Sequence, residues 1–124
     1  MTTALVTPER SAIAPSDTWD LSAIFPSWEA WEVAVADLEQ RIGAFKACSG
    51  TLGASGTRLR DALEAHDAIG QISYRVWYYP SLTHDQDQRD NTSAARRQRV
   101  QLLFARLEHA TSWFNPELLA VPLE

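Results

Sequence analysis

From Trp28 onward the apolar residues Trp28, Trp31, Val35, Leu38, Ile42 and Phe45 recur at steps of 3, 4, 3, 4 and 3. That spacing brings all six to one face of a helix. Ser27 stands where an N-cap oxygen accepts an orphan backbone N–H, Glu29 and Glu32 suit the positive end of the helix dipole, and Lys46 suits the negative end. Gly50 and Gly53 mark the exit from this helix. A second pattern follows Ser55 and Thr57 and carries Leu59, Leu63, Ile69, Ile72, Val76, Tyr79 and Leu82. Its six-residue step from Leu63 to Ile69 predicts two helices, or one bent helix, with the change near residues 66–68. Pro80 falls inside the later part, where a missing donor and a crowded carbonyl cost about 3 kcal/mol, so a kink or an early end is predicted near Tyr78.

The polar stretch from Thr83 to Asn91 reads as a connection. Asp90 or Asn91 then caps a last long helix whose apolar face holds Val100, Leu103, Phe104, Leu107, Ala110 and Phe114. No segment alternates apolar and polar residues, and alanine, a good helix former, is frequent. The expected fold is all-α: antiparallel amphipathic helices in a small bundle over residues 17–124, preceded by a flexible arm of Thr, Ala, Ser and Pro over residues 1–16. Asn115-Pro116-Glu117 reads as a helix start, with a capping residue, proline at the first helical position and an acid in the first turn. Seven residues follow Glu117, Pro122 among them, so the sequence reads as cut just after a new element begins.

Charge narrows the function. With 16 acidic and 11 basic side chains among 124 residues, the net charge is -5, and no long basic block is present to replace the counterions of a nucleic acid or an anionic membrane. Partners of either kind are not expected. The apolar runs fall short of the roughly 20 residues a spanning helix needs, and Met1 to Ser16 lack a basic region followed by an apolar core. Cys48 is the single cysteine, which offers neither a disulfide nor a zinc cluster, and a reducing, cytoplasmic location is the expectation.

Candidate chemistry is sparse. His66, His84 and His109 are 18 and 25 residues apart, so no pair has the i, i+4 spacing that presents two imidazoles to one zinc. Gly50, Gly53 and Gly56 match no phosphate-binding pattern and read as turn residues. Asp85, Asp87 and Asp90 resemble the start of a calcium loop, but Asp90 and Arg96 stand where that loop needs Gly and Glu. Arg96, Arg97 and Arg99 read as a solvated face, with phosphate or nucleic-acid contact as the weaker alternative. No catalytic, cofactor-binding or metal-binding set is assigned. The large aromatics Trp19, Trp28, Trp31, Trp77, Trp113, Phe25, Phe45, Phe104 and Phe114 read as core, or as core with a stripe left over for docking.

The segment Trp19-Asp20-Leu21-Ser22-Ala23-Ile24-Phe25-Pro26-Ser27, with Trp31 following on a helix, resembles the opening of the oligoendopeptidase F family of zinc metallopeptidases. Phe45-Lys46 leading to Gly50-Thr51-Leu52, then Leu59 and Leu63-Glu64, then Tyr79, Leu82 and Asp85-Gln86-Asp87, are similar to its next landmarks. Ser112-Trp113-Phe114-Asn115-Pro116-Glu117-Leu118-Leu119 is similar to the segment that closes the family's first helical region. Pro80 departs from the pattern, standing where a small helix-compatible residue is expected, and the family's His-Glu-x-x-His motif has no counterpart here. The resemblance implies an N-terminal scaffold domain or fragment of an endopeptidase that hydrolyses short peptides, inactive alone. It implies that zinc and the catalytic residues belong to the absent catalytic domain of the same polypeptide, and that oligopeptides are the substrates of the whole. The alternative, from a different class, is a stand-alone helical protein-interaction module that binds a partner helix through its aromatic stripe.

Overall fold

The computed structural model describes residues 5–123, so residues 1–4 of the expected arm and residue 124 of the expected domain lie outside it. Three short 3-10 turns, Arg10–Ala12, Pro15–Asp17 and Leu21–Ala23, lead into α1 (Trp28–Lys46), α2 (Gly56–Gln86), α3 (Asn91–Thr111) and a short α4 (Phe114–Ala120). Among the described residues there is no strand, and the all-α expectation holds.

Each long helix starts on the oxygen of a polar side chain, because the first N–H groups of a helix have no partner within it. Ser27 accepts from Ala30 N–H, Ser55 from Arg58 N–H, and Asp90 from the N–H groups of Thr92 and Ser93. Asp90→Ala therefore removes an acceptor that two amides share, at 2.9 and 3.4 Å. The expected loss is about 1 kcal/mol, read as a lower urea midpoint, while Asp90→Ser keeps most of the stability.

α1 follows its predicted bounds and buries Trp31, Val35, Leu38, Ile42 and Phe45. α2 does not follow its own. Of the alternatives at residues 66–68, one helix runs through in place of two, and it does not end near Tyr78 but continues to Gln86. The apolar face is carried through the gap by small residues: Ala62 is buried and Ala65 packs on the core, so the stripe steps from Leu59 through Ala62, Ala65, Ile69, Ile72 and Val76, while Leu63 turns outward.

Pro80 sits buried inside α2 and leaves the carbonyl of Val76, four residues earlier, without its helical donor. Trp31 fills that vacancy from α1: its indole Nε1–H donates to Val76 C=O at 2.9 Å in the interior. The expected connection over Thr83 to Asn91 shortens accordingly to residues 87–90, with the Thr83 hydroxyl donating to Tyr79 C=O as the helix ends.

Packing follows from the loops. Trp31 near the start of α1 meets Val76 late in α2, and Phe45 at the end of α1 meets His66 early in α2, so these two run antiparallel. Trp77 of α2 meets Phe104 of α3, while Glu32 and Glu39 of α1 pair with Arg99 and Arg106, so α3 is antiparallel to α2 and parallel to α1. All three long helices touch one another around a single core.

The segment before α1 is tied across the α2–α3 turn. Arg89 binds the Glu9 carboxylate at 3.0 Å and donates to Pro8 C=O, while Gln86 donates to Trp19 C=O. The same guanidinium donates to Asp87 and holds its carboxyl below the usual aspartate range. No described helix is long and apolar enough to cross a membrane.

Candidate functional site

Two surfaces combine unusual chemistry with a defined shape. The first is a seam where α3 lays arginines on tryptophan rings. The guanidinium of Arg96 lies 3.9 Å from the Trp28 ring centroid, Arg99 lies 5.5 Å from Trp31, and Arg97 lies 5.9 Å from Trp77. Stacking of this kind contributes about 0.5–1 kcal/mol at exposed positions. The cluster expected to form a merely solvated face thus covers aromatic rings of both neighbouring helices, and Arg99 also pairs with Glu32 at 2.7 Å. Two further rings complete the seam. Trp28 meets Tyr79 edge-on at 4.6 Å, and Tyr79 in turn meets Phe25 at 5.5 Å. Burial raises the Tyr79 phenol above its ordinary pKa against the opposing pull of Arg96.

The second surface is an apolar groove between α2 and α3, enclosing about 340 Å3. His66, Ile69, Ser73 and Trp77 from α2 line it with Phe104, Leu107 and Thr111 from α3. No Asp, Glu, Lys or Arg lines it. The Ser73 hydroxyl is buried there with no hydrogen-bond partner among the described residues. Beside the groove, Tyr74 and Tyr78 stack 6.0 Å apart on α2, and Tyr74 is 67% exposed. A larger groove between α1 and α3 differs in kind, since Glu39, Lys46, Arg106 and His109 line it.

At the end of the bundle away from the arginine seam, Phe114 begins α4 rather than closing the face of α3. Asn115 is not the cap: Trp113 holds that position without a side-chain bond, and Pro116 falls in the first turn, where its missing N–H has no partner to lose. Glu117, read as a first-turn acid, reaches across to the α1–α2 loop instead. Its carboxylate accepts from Gly50 N–H and, at 3.4 Å, from Leu52 N–H. Gly50 has φ +83°, the left-handed conformation that glycine adopts without strain. Glu117→Ala is expected to cost about 1 kcal/mol and to speed amide exchange at Gly50 and Leu52. Unchanged exchange at both amides would show that the carboxylate does not hold the loop.

The remaining candidates are dispersed. His66 is exposed and stacks on Phe114 at 4.7 Å, His84 approaches the Ser93 hydroxyl at 3.5 Å, and His109 is exposed on α3. Cys48 is half-buried against the core. Among the described residues no three His, Cys, Asp or Glu side chains come together in a way that could hold a metal ion. Asp87 serves Arg89 and Asp90 caps α3, which gives two of the calcium-like aspartates local structural partners. The groove was foreshadowed by Trp77 and Phe104 in the aromatic pattern, but Ser73 and Gly70 carried no signal, since only the packing of α3 places them in a concave surface.

No known family profile matches the chain, and no solved structure matches it significantly. Curated proteins do. The chain is 29% identical over 114 residues to oligopeptidase PepF of Bacillus subtilis, a match that takes in 92% of this chain. It is 33% identical over 114 residues, 89% of the chain, to group B oligopeptidase PepB of Streptococcus agalactiae. To an oligoendopeptidase F homolog of Lactococcus lactis it is 23% identical over 116 residues, 93% of the chain. It spans only 17 to 19% of the length of these relatives. The resemblance carried by the opening and closing motifs therefore runs along nearly the whole chain, which is homologous to part of the oligoendopeptidase F family.

Proposed function

We propose that the chain is the N-terminal helical region of an oligoendopeptidase F-like zinc metalloendopeptidase that hydrolyses short peptides. It serves as scaffold, with the zinc and the catalytic groups carried by the rest of the polypeptide. The observation that carries this reading is the 33% identity over 89% of the chain to a protein of which it spans only 18%. Two features support the division of labour. Arg96 stacks on Trp28 and Glu117 holds the amides of the α1–α2 loop, so both serve structural contacts. The dispersed histidines do not fit a zinc site, so no step of hydrolysis is assigned to this chain. A cytoplasmic location accords with the single half-buried thiol of Cys48.

The test is the intact mass of the native polypeptide in its source cells, detected with an antibody raised against this segment. The expected species is several times heavier than 13.9 kDa and carries a His-Glu-x-x-His motif downstream. A native species of 13.9 kDa would overturn the reading. It would leave the stand-alone interaction module, which the open α2–α3 groove favours.

A further inference from the structure

We propose that the α2–α3 groove is the docking seat for the stretch of polypeptide that follows Glu124 in the longer protein, with apolar side chains lodged between Trp77 and Phe104. The inference rests on the reading that the chain is part of a longer peptidase. Three helices packed on one another cover each other's inward faces but supply no fourth element for this side. Trp77 and Phe104 consequently face each other at 6.0 Å while still partly open. The Tyr74–Tyr78 pair extends the patch outward. With no Asp, Glu, Lys or Arg in the lining, the seat suits apolar groups.

The fold brings the following stretch within reach. Leu118 and Val121 pack on the core, and Val121 and Pro122 lie beside Leu52, Ser55 and Leu59 at the start of α2. At 1.5 Å per residue, the path along α2 from Leu59 to Ile69 and Trp77 is about 15–27 Å, which roughly 5–8 extended residues span. The relatives have more than four-fifths of their length outside the matched segment, so chain for this purpose is ample. Size argues for the same occupant. A groove of about 340 Å3 seats a few side chains, whereas a stable dimer needs on the order of 800 Å2 from each partner. A tethered segment requires far less, because its effective concentration is high.

A thiol placed in the groove reports its occupancy. Gly70 lines it, and a Cβ added there meets nothing within 4 Å, so Gly70→Cys in a Cys48→Ala background is accommodated. Tyr74→Cys, at the exposed edge, is the second probe should the first perturb folding. Leu102→Cys, 70% exposed, is the control. Maleimide labelling rates are compared between the 124-residue chain and the full-length polypeptide. The expected result is fast labelling at residue 70 or 74 in the short chain, slowed at least about tenfold in the long one, with residue 102 equal in both.

Equal rates at 70 and 74 in an active full-length peptidase would overturn the docking seat and leave the proposed function standing. Slow labelling in the short chain that is relieved by dilution would assign the groove to a second copy and overturn the proposal. A native polypeptide of 13.9 kDa would remove the occupant and the proposed function together.

Discussion

Trp31→Ala is expected to lower the unfolding free energy by about 3–5 kcal/mol, read from the urea midpoint, against the roughly 5–15 kcal/mol typical of a whole domain. Trp31 is fully buried, its ring meets Trp28 edge-on at 5.5 Å, and Arg99 lies over it. Truncation leaves a cavity at the junction of all three long helices. It also strands the carbonyl of Val76, whose donor in an uninterrupted helix would be the residue-80 N–H that proline lacks. Trp31→Phe separates the two effects. Most of the ring volume stays while the indole N–H goes, and the expected loss is about 1–3 kcal/mol, the usual consequence of leaving a buried acceptor unpaired.

Pro80→Ala makes this account specific. It restores a backbone N–H four residues after Val76, so the carbonyl then has a helical donor whether or not Trp31 supplies one. The loss caused by Trp31→Phe should therefore be smaller in the Pro80→Ala background, by about 1 kcal/mol. An identical loss in both backgrounds would mean that the indole bond and the proline are energetically unrelated, and that Trp31 acts through packing alone.

That pairing also marks the boundary of what local sequence conveys. α1 was legible in full, because a large apolar residue recurs at every turn and Ser27 and Lys46 stand at its ends. Two of the alternatives read for α2, a division near residues 66–68 and an early end near Tyr78, do not occur, for two different reasons. Ala62 and Ala65 continue its buried stripe, but small side chains are weak markers of a core face, and their omission made a gap at residues 63–69. Pro80 is a helix breaker by every local criterion, and the group that tolerates it lies 45 residues away on another helix. The arginines of α3 pose the same problem. Arg96, Arg97 and Arg99 read as a charge run until the bundle sets tryptophans beneath them. Glu117 was likewise visible as an acid near a helix start, yet its partners are loop amides 65 and 67 residues earlier. Family resemblance was easier to see than the groove, since motifs are contiguous in sequence whereas a concave surface is not.

Phe45→Ala is expected to produce a loss similar in size to that of Trp31→Ala, about 3–5 kcal/mol, but with a different distribution through the molecule. Phe45 ends the stripe of α1 at 1% exposure and touches three rings: His66 of α2 at 5.9 Å, Trp113 at 5.0 Å and Phe114 of α4 at 5.4 Å. Removing it empties the centre of this cluster and withdraws the apolar support of α4, which has no side-chain cap and seven residues of its own. A helix of that length has no independent stability. α4 should therefore detach before the bundle unfolds, taking the Glu117 carboxylate away from Gly50 and Leu52. Amide exchange at those two positions should quicken while the amides around Val76 keep their protection relative to the global stability. Phe114→Ala should release the same end, and the double substitution should cost less than the two single losses added together, since both open one shared cavity. Strict additivity, or Gly50 and Leu52 amides as slow as in the parent protein, would show instead that α4 is held by contacts outside this aromatic cluster.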